Sequence, residues 1–87
     1  MEFECDPAKS EANHQKHGID FVEAQGLWGD PNHLIAPARS ITEERYALIG
    51  QLKGKVWVCI FTPRDENLRI ISARRARKDE EAGYYNS

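Results

Sequence analysis

RYALIGQL (residues 45–52), KVWVCIFT (55–62) and LRIISA (68–73) are separated only by Lys53-Gly54 and by Arg64-Asp65-Glu66-Asn67. Runs this rich in β-branched and aromatic residues suit a pleated, half-buried surface, so each is read as a strand. Both breaks have the composition of hairpin turns. Successive hairpins make an antiparallel meander, and the run around Val58, apolar on both faces, belongs at its centre. The decision between fold classes turns on what precedes and follows this meander.

Upstream, residues 1–5 alternate apolar and acidic side chains, which predicts a short edge strand with Phe3 and Cys5 turned inward. Asp6-Pro7 opens a helix, since the carboxylate accepts from freed amides and proline fits the first turn. That helix should run to about His17 and close at Gly18, with only Ala8 and Ala12 as apolar content. Asp20 with Glu23 forms a capping box for a second helix, whose face carries Phe21, Ala24, Leu27 and Trp28 until Gly29-Asp30-Pro31 ends it. His33 to Pro37 suits a further short strand. Downstream, residues 77–85 predict a short terminal helix weakened by Gly83. The expected class is α+β: a small antiparallel sheet of four to five strands, two N-terminal helices on one face, and a short C-terminal helix. At 87 residues the chain forms a single domain, whose thin core buries roughly 60–65% of the unfolded surface.

Net charge is −2, which does not by itself mark a nucleic-acid binder. Its distribution is more telling: residues 1–31 carry −5, residues 64–78 carry +4, and the last nine carry −3. No apolar run reaches the ~20 residues of a membrane span and the charged start is not a signal peptide, so a cytoplasmic protein is expected. Cys5 and Cys59 are then small buried apolar side chains, not a disulfide.

Strict alternation along the last strand places Leu68, Ile70, Ser72 and Arg74 on one side and Arg69, Ile71, Ala73 and Arg75 on the other. Any single arginine can be satisfied by a surface ion pair. Four of them at 69, 74, 75 and 77 suggest a different task, because guanidinium forks match phosphate oxygens and stay charged. Arg64 in the preceding turn and Arg45 on a neighbouring strand can join the same concavity. Lys16-His17-Gly18 is the second candidate, a helix C-terminus whose dipole favours a cation and whose imidazole can move protons. Glu80, Glu81, Tyr84 and Tyr85 form a third group, able to act on protons or to stack on a base. His14 and His17 lack further ligands at metal-binding spacing, and there is no glycine-rich phosphate loop, so neither metal nor cofactor is expected.

Phe3-Glu4-Cys5-Asp6, Lys9, Asn13, Lys16-His17-Gly18, Phe21 and Ala24 together resemble the opening of the BrnT family. Glu44-Arg45-Tyr46, Ile49-Gly50, Thr62-Pro63-Arg64 and residues 69–76 (RIISARRA) are similar to the rest of that family's signature. The family usually has Trp where Cys5 stands. The resemblance implies a toxin of a type II toxin–antitoxin pair with a RelE-like fold. It further implies a metal-independent endoribonuclease that inhibits translation and growth. A BrnA-like ribbon-helix-helix antitoxin would be its partner, and operator DNA would be reached through their complex. Without a metal, the ribose 2′-OH must attack the adjacent phosphate. The candidates for charge stabilisation are Arg64, Arg74 and Arg75, and those for proton transfer are His17, Glu81 and Tyr84. Lys16, Arg45, Arg69, Arg77 and Lys78 are expected to bind RNA. On that reading Arg74→Ala lowers turnover by about 100-fold with the fold intact. The rival reading is a non-catalytic module whose basic face docks a protein partner or nucleic acid.

Overall fold

A computed structural model describes residues 2–87; the expected start of the first strand at Met1 lies outside them. The elements are β1 (Phe3–Glu4), α1 (Pro7–His17), α2 (Phe21–Ala24) continued by a 3-10 turn (Gln25–Gly29), β2 (Leu34–Ala38), β3 (Arg45–Leu52), β4 (Lys55–Arg64), β5 (Asn67–Arg75) and α3 (Lys78–Tyr85). The class is α+β, with the expected order of elements. The sheet runs β1-β5-β4-β3-β2, and β4 is central. Strands β2 to β5 are antiparallel, but β1 lies parallel to β5, so the sheet is mixed. The helical connection after β1 frees it from the hairpin geometry that forces its neighbours to alternate.

The caps follow the sequence. Asp6 accepts from the amides of Ala8 and Lys9, and Gly18, at φ 79°, turns the chain out of α1. Asp20 and Glu23 complete a reciprocal capping box. Ile19, Phe21, Ala24 and Leu27 then drop onto Leu48, Cys59, Phe61 and Ile70, forming the main core. Each large side chain buried there contributes about 1.5–3 kcal/mol. Trp28 stands edge-on between Phe3 (4.8 Å) and Phe61 (5.1 Å), which fixes the inward direction of β1.

Helix α1 departs from expectation. Ala8 and Ala12 are exposed, and the side chains turned inward are Ser10 and Asn13. Ser10 Oγ accepts from the Phe21 amide at 2.9 Å. Asn13 Nδ2 donates to the carbonyls of Ile19 (2.7 Å) and Ala73 (2.9 Å), while its Oδ1 accepts from the Ala73 amide at 3.3 Å. Both backbone groups of Ala73 face away from β4, where β1 is too short to reach them, and the carboxamide serves as the missing strand. Polar pairing, not an apolar stripe, docks this helix.

Strict alternation in β5 also fails. Ile60 pairs with Ser72 and Phe61 with Ile70, leaving Ile71 without a partner. One extra residue reverses the pleat downstream. Leu68, Ile70, Ala73 and Arg75 therefore share the face toward α1 and α2. Arg69, Ser72 and Arg74 share the opposite face, where α3 lies. Arg64 is not in the turn but ends β4, paired with Asn67. The turn itself is Asp65-Glu66, with Asp65 left-handed at φ 55°.

Candidate active site

Where the C-terminus of α1, the β3–β4 hairpin and the end of β5 converge, a cavity of about 320 Å³ opens. His17, Glu23, Lys53, Lys55, Trp57 and Arg75 contribute its chemistry. Three fixed cations and one histidine face one carboxylate there, in a chain whose net charge is negative. A larger hollow of about 500 Å³ lies under the β2–β3 loop, lined by Glu43, Glu44 and Arg45. Arg45 is already paired with Glu43 at 3.0 Å, so that hollow offers little to a polyanion. The smaller cavity is the better site.

Each wall has a local cause. Ser10, Asn13 and His17 recur at helical spacing on the inward stripe of α1, which sets the half-buried His17 at the rim. Gly18 then removes the chain from above the imidazole. Lys53 and Gly54, at φ 52° and 77°, form a two-residue loop between the paired Leu52 and Lys55. Positive φ at both loop positions matches the twist of a tight hairpin. The Trp57 indole N–H donates to the Leu52 carbonyl at 3.3 Å and ties the hairpin down. The Arg75 guanidinium lies 5.5 Å from the centroid of the Trp57 ring. Such stacking restrains the guanidinium without using its hydrogen-bond donors. Lys53 approaches Glu23 at 3.5 Å, an exposed contact that leaves most of its charge available.

The residues singled out from the sequence are thus dispersed. His17 and Arg75 meet in the cavity; Lys16, one residue before His17, is exposed on α1. Arg45 and Arg69 line a different depression of about 200 Å³ with Asp6, Lys9 and Glu43. Arg64 is exposed at the end of β4, and Lys78 is exposed at the start of α3. Arg77 caps α3, its amide donating to Glu80 Oε1 at 2.8 Å. Glu81 is half-buried on α3, and Tyr84 is buried with its hydroxyl donating to Asp30. The expected grouping of Arg64, Arg74 and Arg75 does not occur: neighbours along a strand point to opposite faces, and the Ile71 bulge turns Arg75, not Arg74, toward the cavity.

Arg74 is engaged elsewhere. Its guanidinium grips both oxygens of Glu80, at 2.8 and 2.9 Å. Those hydrogen bonds hold the Glu80 carboxyl down at about 2 and push the arginine up from its ordinary value. Asp30 receives the Tyr84 hydroxyl and the amides of Gln51 and Asn32. Desolvation works to raise its pKa, but these hydrogen bonds outweigh it and hold Asp30 below the usual range. The same hydrogen bond pushes Tyr84 up to about 12. Burial pushes the Cys59 thiol to about 12, which leaves it a small apolar side chain. Among the described residues, no three His, Cys, Asp or Glu side chains gather at metal-binding distances, and no helix is long and apolar enough to cross a membrane.

Lys53, Lys55, Glu23 and Trp57 escaped the sequence reading. The usable signal was Lys53-Gly54-Lys55: a cation in a tight turn and another at the start of the following strand, beside a tryptophan two residues on. Glu23 gave none beyond its capping role.

The chain matches a family model described as the ribonuclease toxin BrnT of type II toxin–antitoxin systems, over residues 5–80. No curated protein matches it. Both the α1 and β5 sides of the cavity fall within the matched span, which covers nearly the whole chain. The chain belongs to the BrnT family of ribonuclease toxins of type II toxin–antitoxin systems.

Proposed function

We propose that the cavity between α1 and the β3–β4 hairpin cleaves RNA by metal-independent attack of a ribose 2′-OH on the adjacent phosphate. The observation that carries this reading is the convergence of His17 with Arg75, Lys53 and Lys55 over a fixed indole. The reaction needs a group that moves a proton and charges that stabilise a pentacovalent phosphate. His17 takes the proton from the 2′-OH as its oxygen bonds to phosphorus. The bond from phosphorus to the 5′ oxygen then breaks, and the imidazolium returns the proton to that oxygen. The products are a 2′,3′-cyclic phosphate and a free 5′-OH. Arg75 faces the charge that develops on the phosphoryl oxygens, and Lys53 and Lys55 hold the flanking phosphates.

Arg74 moves from the catalytic group to a structural one in this proposal, since Glu80 occupies its fork. Glu81 and Tyr84, on the far face with α3, take no part in proton transfer. Arg45 and Arg69, with Lys9, give RNA a weaker second contact in the depression they share with Asp6 and Glu43; Lys16, Arg64, Arg77 and Lys78 add only diffuse attraction. In the biological setting that goes with this reading, cleavage inhibits translation and growth. A BrnA-like ribbon-helix-helix antitoxin neutralises the toxin, and operator DNA is bound through that antitoxin.

The test is cleavage of unmodified and 2′-deoxy RNA by the wild type, His17→Ala and Arg75→Ala. We expect each substitution to lower turnover by about 100-fold or more, with circular dichroism unchanged. A 2′-deoxy linkage should resist cutting. Equal cutting of the 2′-deoxy linkage would overturn the 2′-OH mechanism. RNA that is bound but never cut by the wild type would favour the non-catalytic binding module.

A further inference from the structure

On the face opposite the proposed catalytic cavity, at the same end of β3, lies a depression of about 270 Å³. Asn32, Gln51, Tyr84, Tyr85 and Ser87 line it. Tyr85 is 58% exposed, a large aromatic surface left in water. Yet the ring is not loose. Tyr84 meets it edge-on at 5.1 Å and 79°, and the Gln51 side-chain amide donates to its hydroxyl at 3.2 Å. Tyr84 is in turn anchored through its hydroxyl to Asp30, which also receives the Gln51 backbone amide. The result is an exposed aromatic platform held from below and at its tip, with one flank open.

We infer that this depression is a nucleobase subsite, in which Tyr85 stacks on one base of the RNA and the carboxamides of Gln51 and Asn32 read its edge. Three observations converge on a base over other planar ligands. The platform is aromatic and preorganised, which suits stacking at small entropic cost. Gln51 spends one amide proton on Tyr85, leaving a carbonyl acceptor and a second N–H donor side by side. A neighbouring donor–acceptor pair of this kind matches the polar edge of a base, as side-chain amides do with adenine N6 and N7. Among the described residues, no charged side chain lines the depression, so it suits an uncharged heterocycle better than a phosphate.

Position links it to the cavity. Gln51 points to this face while Leu52 and Lys53, next in sequence, line the cavity on the other. Gln51 and Lys53 are about 7 Å apart at ~3.3 Å per residue. A strand of RNA passing around the hairpin end can lay a phosphate on Lys53 and a neighbouring base on Tyr85. The subsite would then select which linkage reaches His17. This role rests on the cleavage reading, whereas base binding itself does not.

The experiment separates the two. Short 2′-O-methyl oligonucleotides, which lack the attacking hydroxyl, are titrated against the wild type, Tyr85→Ala, Tyr85→Trp and Gln51→Ala. Tyr85→Ala should weaken binding about 5- to 100-fold, the range of one base–aromatic stack. The salt dependence should stay unchanged, because no phosphate contact is lost. Tyr85→Trp should restore binding, and Gln51→Ala should flatten differences between base compositions. An oligonucleotide with an abasic position should cost the wild type as much as Tyr85→Ala does, which tests the idea on the unaltered chain. Equal affinity of wild type and Tyr85→Ala, with no penalty for the abasic position, would overturn the subsite even if RNA cleavage is normal. Loss of binding in Tyr85→Ala, with no cutting of unmodified RNA by the wild type, would keep the subsite and remove the nuclease reading.

Discussion

The carboxamide of Asn13 offers Ala73 the donor and the acceptor that a neighbouring strand would have offered, and it holds Ile19 with its second N–H. Its replacement by alanine strands several buried backbone groups, each costing about 1–3 kcal/mol when unpaired. Asn13→Ala should therefore lower stability by about 2–3 kcal/mol after partial relaxation, read as a shift in the urea midpoint. Turnover should fall with it, because Ala73 lies two positions before Arg75 and fixes the end of β5. At Arg75 itself, charge and shape can be separated. Arg75→Lys keeps the charge but loses the planar fork and its stacking on Trp57. We expect it to recover only part of the activity lost in Arg75→Ala, about 10-fold below wild type against about 100-fold. Equal activity of the lysine variant and the wild type would reduce the role of Arg75 to charge alone. Neither residue's partner was legible in the sequence. The contact of Asn13 with Ala73 spans 60 positions and leaves no periodic trace, while His17 was legible because a helix end marks its own cap.

Helix α3 is an element held on by two polar latches. The Arg74–Glu80 pair fastens its first turn, and Tyr84–Asp30 fastens its last. Between them it packs against β3, on the face opposite α1 and α2. Glu80 in the first latch and the Tyr84 phenol in the second respond to opposite ends of the pH scale. Glu80 is held at about 2 when folded, below the usual glutamate value of about 4.3. Its contribution is complete above the usual value and fades as pH falls toward 2. Tyr84 is raised to about 12 when folded, against an ordinary value of about 10. Its contribution is complete below the ordinary value and fades as pH climbs through 12. Glu80→Gln should remove the Glu80 share of the acid dependence, leaving that of Asp30, and cost about 1–2 kcal/mol at neutral pH; Tyr84→Phe should remove the alkaline loss due to the phenol. Denaturation midpoints followed across pH check both, and an unchanged acid limb in Glu80→Gln would remove the first latch. The strands, hairpins and caps were readable because alternation, turn residues and capping boxes are local signals. The docking of α3 was not, since its apolar content is slight and its partners lie far away in sequence. The parallel placement of β1 was equally hidden, because no local pattern records the direction of a neighbour reached through two helices.

Across the whole molecule, a net charge of −2 coexists with a cavity that gathers three fixed cations. Affinity for single-stranded RNA should therefore depend on a few close contacts and not on a general basic surface. Each neutralised phosphate on a single strand contributes a slope of roughly −0.7 in log affinity against log salt. A slope of about −2 is expected for the wild type, falling by about 0.7 in Lys55→Ala. A much steeper wild-type slope would mean that the second surface around Arg45 and Arg69 carries more of the binding. A thin core also makes the fold responsive to partners. An antitoxin present at a hundred times its dissociation constant should add about 2.7 kcal/mol, seen as a higher melting temperature of the complex. One further consequence concerns Ile71, the unpaired residue of β5. It acts through its place in the count and hardly through its side chain, because it sets the parity of every position after it. Exchanging it for valine or threonine should be nearly silent. Deleting it would iron out the bulge, because Ile70 and Ser72 already pair with consecutive residues of β4, and Arg74 and Arg75 would keep their faces. One residue added after it would instead trade their allegiances, unfastening α3 and emptying the cavity of its fork in a single event. In this strand, a gained codon is more dangerous than a lost or an altered one.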